Sequence, residues 1–310
     1  MWAQAQEGAK KLMDARGAGA HQAGMFGKRA LPLGSVMAAI VSVQTGAALA
    51  KHLFPIVGAQ GAVALRVTLA ALILLAVWRP WRRPLDRRTA LLIIGFGLAL
   101  GSMNLTFYMA LRTVPLGVAV AIEFIGPLTV AVLESRRPLD FAWIALAACG
   151  VVALSPINPA MHVDLLGLFL ALLAGVFWGL YIVLGQKAGG GDRGQVSSIA
   201  MTVAALVAAP WGVGAIVQHL SPALLASGLG VAVLSSALPY SLELFAMSRL
   251  PARTFSIMMS LEPAMAALAG FLVLGERLNP WQLVAIAAVM AASAGSAATT
   301  PAITAEPAPN

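Results

Sequence analysis

Residues 260–278 read SLEPAMAALAGFLVLGERL. Glu262 stands beside Pro263 in a run otherwise apolar enough to sit in a bilayer. A carboxylate in a membrane helix costs on the order of 3 kcal/mol on insertion scales, and an interior proline removes a backbone hydrogen bond. Broken backbone at membrane depth is tolerated where it lines protein or a watery cavity. The stretch therefore reads as an interrupted helix facing the interior of an all-α membrane protein.

Composition agrees. Of 310 residues, 60% are hydrophobic and 10% charged, against roughly 25% charged in soluble domains, so the expected partner of most of the surface is a lipid bilayer. The formal charge is +8, but Lys and Arg are confined to short gaps between apolar runs. They read as topogenic signals, and no nucleic-acid partner is expected. The first 30 residues carry Lys10, Lys11, Arg16, Lys28 and Arg29 without an apolar core of signal-peptide length, and read as a cytoplasmic tail. The closing TTPAITAEPAPN is Pro- and Ala-rich and reads as a disordered tail from residue 300. The single cysteine, Cys149, has no partner for a disulfide and reads as a small buried hydrophobe. His21, His52, His162 and His219 fall in tails, loops or span ends, so no metal site, no cofactor and no buried relay is expected. Without a nucleophile and base in one membrane site, an enzyme is not expected either.

Apolar runs long enough to span lie at about 31–50, 61–79, 90–111, 116–134, 139–157, 164–187, 195–217, 223–247, 252–274 and 279–299, each near the ~20 residues a bilayer requires. Arg79, Arg82, Arg83, Arg87, Arg88, Arg136, Arg137, Lys187, Arg193, Arg249 and Arg253 fall on the same side as the N-terminal tail. Only Lys51, Arg112 and Arg277 fall on the other. By the positive-inside rule both termini are expected in the cytoplasm. An offset of 136 residues lays Lys51 over Lys187, Ala110 over Ala246, Pro115 over Pro251 and Pro127 over Pro263, with ALRTVPLG (110–117) over AMSRLPAR (246–253). Five spans per half is odd, so the second half enters the membrane from the opposite side. The expected fold is ten transmembrane helices in two inverted five-helix repeats, at 31–157 and 158–299.

FPIVGAQGAVALR (54–66), TVPLGVAVAIEFIGPL (113–128), SRRPLDF (135–141), LPYSLE (238–243), RLPARTF (249–255) and SLEPAMAALAG (260–270) together resemble the drug/metabolite transporter superfamily with its paired EamA-type halves. Within it the likeness is greatest to the threonine and homoserine exporter group. The resemblance implies a bacterial inner-membrane carrier that exports small neutral amino acids by alternating access. Protons as coupling ion are compatible with it.

Several intramembrane residues are candidates for substrate binding or coupling. Glu123 and Glu262 each stand beside a helix-breaking proline, Pro127 and Pro263, and a third, Pro239, precedes Glu243. Glu243 continues a face through Ser236 and Tyr240, and Asn104 and Tyr108 form the counterpart on span three. Each of these also has a packing role open to it, since polar side chains glue membrane helices. Trp178 and Tyr181 on span six read either as cavity wall or as interfacial belt, and Gln44 is a polar candidate on span one. Arg66 reads as a snorkelling residue or as a carboxylate counter-ion. Phe255, Met258, Met259 and Glu262 share a stripe that would suit an alternative cargo of hydrophobic drugs, purines or other metabolites. A non-transporting membrane scaffold or enzyme is the remaining class, and the inverted repeat argues against it.

Overall fold

The computed structural model describes residues 31–82, 84–134, 138–153, 164–188, 193–247, 249–250 and 252–299. The tails, the glycine run at 189–192 and Arg83, Arg136 and Arg137 lie outside the described residues. Among those described every regular element is helical, as a chain satisfying its own backbone in lipid must be. The segments are α1 (Leu31–Lys51), α2 (Phe54–Trp78), α3 (Arg87–Ala110), α4 (Leu116–Glu123), α5 (Ile125–Glu134), α6 (Pro138–Ala153), α7 (Leu165–Ala188), α8 (Arg193–Gln218), α9 (Pro222–Ala232), α10 (Leu238–Met247), α11 (Ala252–Met259), α12 (Glu262–Leu274) and α13 (Pro280–Thr299).

Three neighbouring pairs are single apolar stretches with an interruption. α4 passes to α5 through Phe124, α11 to α12 through Ser260 and Leu261, and α9 to α10 through a π-helical turn, Val233–Ala237. About ten apolar helices result among the described residues. Six are long and apolar enough to cross a membrane, and four are shorter. The interruptions lie upstream of the prolines, not at them. Pro263 occupies the first turn of α12, where a missing N–H costs nothing. Pro239 similarly follows the π-turn, in which Leu238 N–H reaches back to the Val233 carbonyl.

Helix ends match local chemistry. Asp86 caps α3, its carboxylate accepting from Arg88 N and Thr89 N at 3.0 Å each. Hydrogen bonds from Thr89, side chain first and then backbone, hold that carboxyl below its ordinary value. α2 begins earlier than the apolar run does, at Phe54, but Gly58 (φ 70°, ψ 172°) breaks it, so the continuous helix starts close to the expected point. Gly275, in the left-handed region at φ 67°, ends α12, and Glu276 N–H turns back to the Gly270 carbonyl at 3.0 Å.

Packing relies on close approach of small residues. α2 lies along α8, α3 against α7 and α8, α6 against α13, and α4 between α7 and α12. Gly97 and Gly101 of α3 form a G-x-x-x-G seam on α8, where added Cβ atoms would sit 2.6 Å from Val203 Cβ and 2.8 Å from Ala204 Cα. Gly175 and Gly179 repeat the device on α7, facing the α4/α5 interruption. A Cβ on Gly175 would lie 2.7 Å from the Glu123 carbonyl oxygen, and one on Gly126 would strike the Gly175 backbone. The outer surface is apolar: Leu72, Leu98, Phe169, Val176, Leu206, Phe271 and Leu272 are exposed, an area a water-soluble monomer does not carry. Cys149 belongs to this surface, contrary to its expected burial, because α6 packs on α13 through its other faces.

Gly126→Ala is expected to lower stability by about 1–3 kcal/mol through overpacking, seen as a lower melting temperature in detergent. Gly214→Ala, at a helical glycine with open space around its Cβ position, is expected to leave the melting temperature unchanged or slightly raised.

Candidate functional site

The interruptions converge on one interior cavity of about 240 Å³. α1 contributes Gln44 and Ala47, α2 Arg66, and α3 Asn104, Phe107 and Tyr108. Glu123 ends α4 and Glu262 begins α12, so both carboxylates project from the broken points. The π-turn supplies Ser235 and Ser236, α10 Pro239 and Glu243, α11 Met259, and α7 Trp178 and Tyr181. Glu262 lies in the first turn of its helix, where the free N–H groups favour negative charge. Glu123 and Glu262 are not repeat mates, and packing explains the asymmetry. The position equivalent to Glu262 is Gly126, where the Gly175 backbone leaves no room for any side chain.

Charge in the cavity is unbalanced. Glu123 feels the charges of Glu262 and Arg66, and Glu262 that of Glu243. Among the described residues no side-chain hydrogen bond or ion pair holds these three carboxylates. Arg66, 8% exposed, donates to the Asn104 side-chain oxygen and lies over the Tyr108 ring at 5.1 Å. Asn104 in turn donates to the Leu100 carbonyl at 2.8 Å, which fixes its orientation. Among the described residues four buried polar atoms have no hydrogen-bond partner: Arg66 Nε, Tyr108 Oη, Ser235 Oγ and Ser236 Oγ. Each such group costs about 1–3 kcal/mol when left unsatisfied. Four in one wall mark a surface shaped for something other than packing.

The structure brings together Glu123, Glu243, Glu262, Asn104, Tyr108, Trp178, Tyr181, Gln44, Met259 and Pro239 around this cavity. Pro127 and Pro263 stay behind its wall, and the Tyr240 side chain lies outside the described residues. Trp178 and Tyr181 are not an interfacial belt: Trp178 meets Phe124 edge-on at 5.2 Å, and Tyr181 stacks on Phe96 at 4.4 Å. The snorkelling reading of Arg66 is overturned, since its guanidinium turns inward. Its position in mid-helix was the available signal, and stem length put the outward reading first. Ser235 carried no signal in sequence, because a serine in an Ala-rich helix normally bonds its own backbone. Of the Phe and Met stripe, Phe255 and Met258 pack against Val36, Ile40 and Ala246, and Met259 alone of the three reaches the cavity.

The Lys51 side of the helices is densely packed. Ala50, Leu111 and Leu116 are fully buried in one continuous core there. Above them Lys51 Nζ meets Glu276 Oε1 at 2.6 Å, while Glu276 Oε2 accepts from Leu116 N at 2.8 Å. That single carboxylate ties the ends of α1, α4 and α12. Towards the opposite face the core divides into one cluster around Ile93, Phe96, Val196 and Ala200 and another around Val36, Ile40, Ala246 and Leu250.

A multi-pass helical membrane protein with interrupted helices around a polar interior cavity has the build of a membrane transporter. The chain belongs to the EamA-like transporter family. The family model matches residues 165–297. Threonine/homoserine exporter RhtA of Escherichia coli (strain K12) is 48% identical over 273 residues, 87% of this chain and 92% of that protein. The protein of the same name from Salmonella typhimurium (strain SL1344) is 48% identical over 273 residues, with the same coverage. One crystal structure, at 17% identity and a TM-score of 0.56, covers 87% of this chain and 97% of its own, and shares the fold. The family is one of transporters, not enzymes.

Asn104→Ala leaves a buried guanidinium short of its acceptor. The variant is expected to lose about 1–3 kcal/mol of stability, measured by thermal unfolding, whereas Asn104→Asp keeps the acceptor for Arg66 but loses the donor to the Leu100 carbonyl and is expected to lose less.

Proposed function

We propose that this chain is a secondary transporter of the bacterial inner membrane that exports small neutral amino acids of the threonine and homoserine kind by alternating access. The observation that carries the reading is a cavity in which three carboxylates oppose one arginine, a charge layout suited to a zwitterion. The 48% identity to exporters named for threonine and homoserine supports the cargo. Hydrophobic drugs and purines lose ground, because Phe255 and Met258 serve packing instead of the cavity.

The moving parts in this proposal are two inverted five-helix repeats, 31–157 and 158–299, with cytoplasmic tails at 1–30 and 300–310. Matched interruptions support it, since Phe124 and Ser260 are separated by the same offset that pairs the prolines. α2 packs on its own repeat mate α8, as elements beside a twofold axis do, and α3 against α8 mirrors α2 against α9. Lys and Arg distribution sets the Lys51 face outward. The form with Lys51 and Glu276 joined is then the one that loads from the cytoplasm, and parting that tie accompanies release. A coupling proton would ride on Glu262 or Glu123, the carboxylates at the broken helix ends.

Export is tested by counterflow of labelled threonine and homoserine in proteoliposomes, with and without a pH gradient. Glu262→Gln keeps size but cannot ionise; it is expected to abolish or uncouple flux with an unchanged melting temperature. Wild-type flux in that variant would remove the carboxylate's charge from the mechanism. For alternating access, Ala47→Cys in a Cys149→Ser background reports the cavity wall. An impermeant thiol reagent applied at the outer face is expected to label it slowly, and several-fold faster once Glu276→Ala is added. Equal rates would mean that the tie does not hold the outer face shut.

A further inference from the structure

Arg66 Nε, Tyr108 Oη, Ser235 Oγ and Ser236 Oγ are buried polar atoms of the cavity's residues that have no hydrogen-bond partner among the described residues. Their residues are each more than nine-tenths buried. They arise from three separate elements and meet because α2 packs on both α3 and the π-turn. The remaining contacts of this group are already spent. The Asn104 side chain holds another nitrogen of the guanidinium, the Tyr108 ring lies beneath it, and Ser42 Oγ–H occupies the Leu234 carbonyl at 2.7 Å. Gly46 of α1 leaves room for the Ser235 hydroxyl, since a Cβ there would strike it. Both serines lie in the π-turn, and neither hydroxyl bonds a carbonyl of its own helix.

We infer that Arg66, Ser235, Ser236 and Tyr108 form the subsite for the substrate's α-carboxylate, opposite an ammonium subsite made by Glu123, Glu243 and Glu262. A guanidinium N–H and three rotatable hydroxyls are donors in search of an acceptor-rich anion, and an ionised carboxylate offers about four lone-pair sites and no proton. An isolated anion is disfavoured by the three glutamates in the same cavity. A zwitterion brings its own cation to them. The side chain of the substrate then lies towards Trp178 and Met259, the apolar part of the wall. This assignment rests on the amino-acid reading proposed above and specifies how that cargo is oriented.

The hydroxyls allow a test that separates binding from folding. A buried hydroxyl without a partner contributes nothing to the free fold, so removing it is neutral or stabilising. Purified full-length protein in detergent is titrated with L-threonine, L-homoserine and L-serine and with their carboxamides, which keep the ammonium but lose the anionic end. The wild type is expected to bind the acids at least about tenfold more tightly than the amides. Ser235→Ala/Ser236→Ala is expected to erase most of that preference, leave amide affinity unchanged, and melt at or above the wild-type temperature without ligand. Ser236→Thr, which keeps a hydroxyl, is expected to retain the preference.

Three results would overturn the assignment: amides bound as tightly as acids by the wild type, a preference that survives the double substitution, or a double variant that melts lower without ligand. If the wild type binds none of the three acids, the amino-acid cargo itself is wrong and the subsite falls with it. If the acids bind but the serines do not matter, the cargo stands and only the orientation fails.

Discussion

A bilayer offers a polypeptide no hydrogen-bond partner, and the helix interruptions among the described residues are arranged around that constraint. Among the described residues three apolar stretches are interrupted between successive helices, and each interruption has a side turned to protein or to a cavity that supplies what lipid cannot. Each sends a flanking or central residue to the same polar interior: Glu123 beside Phe124, Met259 and Glu262 on either side of Ser260 and Leu261, and Ser235 and Ser236 within the Val233–Ala237 turn. The carboxylates follow from this: Glu123 and Glu262 are tolerable because they project from helix ends into the cavity and not from an intact helix into lipid. The adjacency in SLEP is thus a division of labour. Pro263 starts a new helix without wasting a donor, and Glu262 sits at that helix's positive end.

Much of this was legible in the amino-acid order. Apolar run length located about ten helices with small errors at their ends, because the requirement that a helix cross hydrocarbon is strict. Prolines flagged the broken segments to within three residues. They did not locate the breaks themselves, which occur upstream wherever the local hydrogen bonding tightens or widens, as between Leu261 N and the Met258 carbonyl. The carboxylates were conspicuous for the same reason that they are costly. Gln44, Asn104 and Tyr108 stood out less, and a serine hardly at all.

Residues whose meaning depends on direction were harder. From sequence Arg66 reads first as reaching for water and only second as facing the interior, and its contact with Asn104 and Tyr108 reverses that order. The stripe through Phe255 and Met258 had correct helical spacing, yet α1 and α10 cover it. Cys149 shows the converse, since an apolar neighbourhood in sequence means lipid as readily as core. Periodicity identifies a face; it does not say what the face meets.

The two matched interruptions are built from different materials. The first is seated on α7 by backbone against backbone, glycine facing glycine, with no side chain between to yield. The second is fastened to α13 by one pair of hydroxyls, Ser260 to Ser293 at 3.0 Å, a bond that can rotate, exchange and re-form. A joint of the first kind transmits motion rigidly, and one of the second kind flexes. Two interruptions at the same sequence offset are thus seated by different chemistry, one by backbone contact and one by a hydroxyl pair.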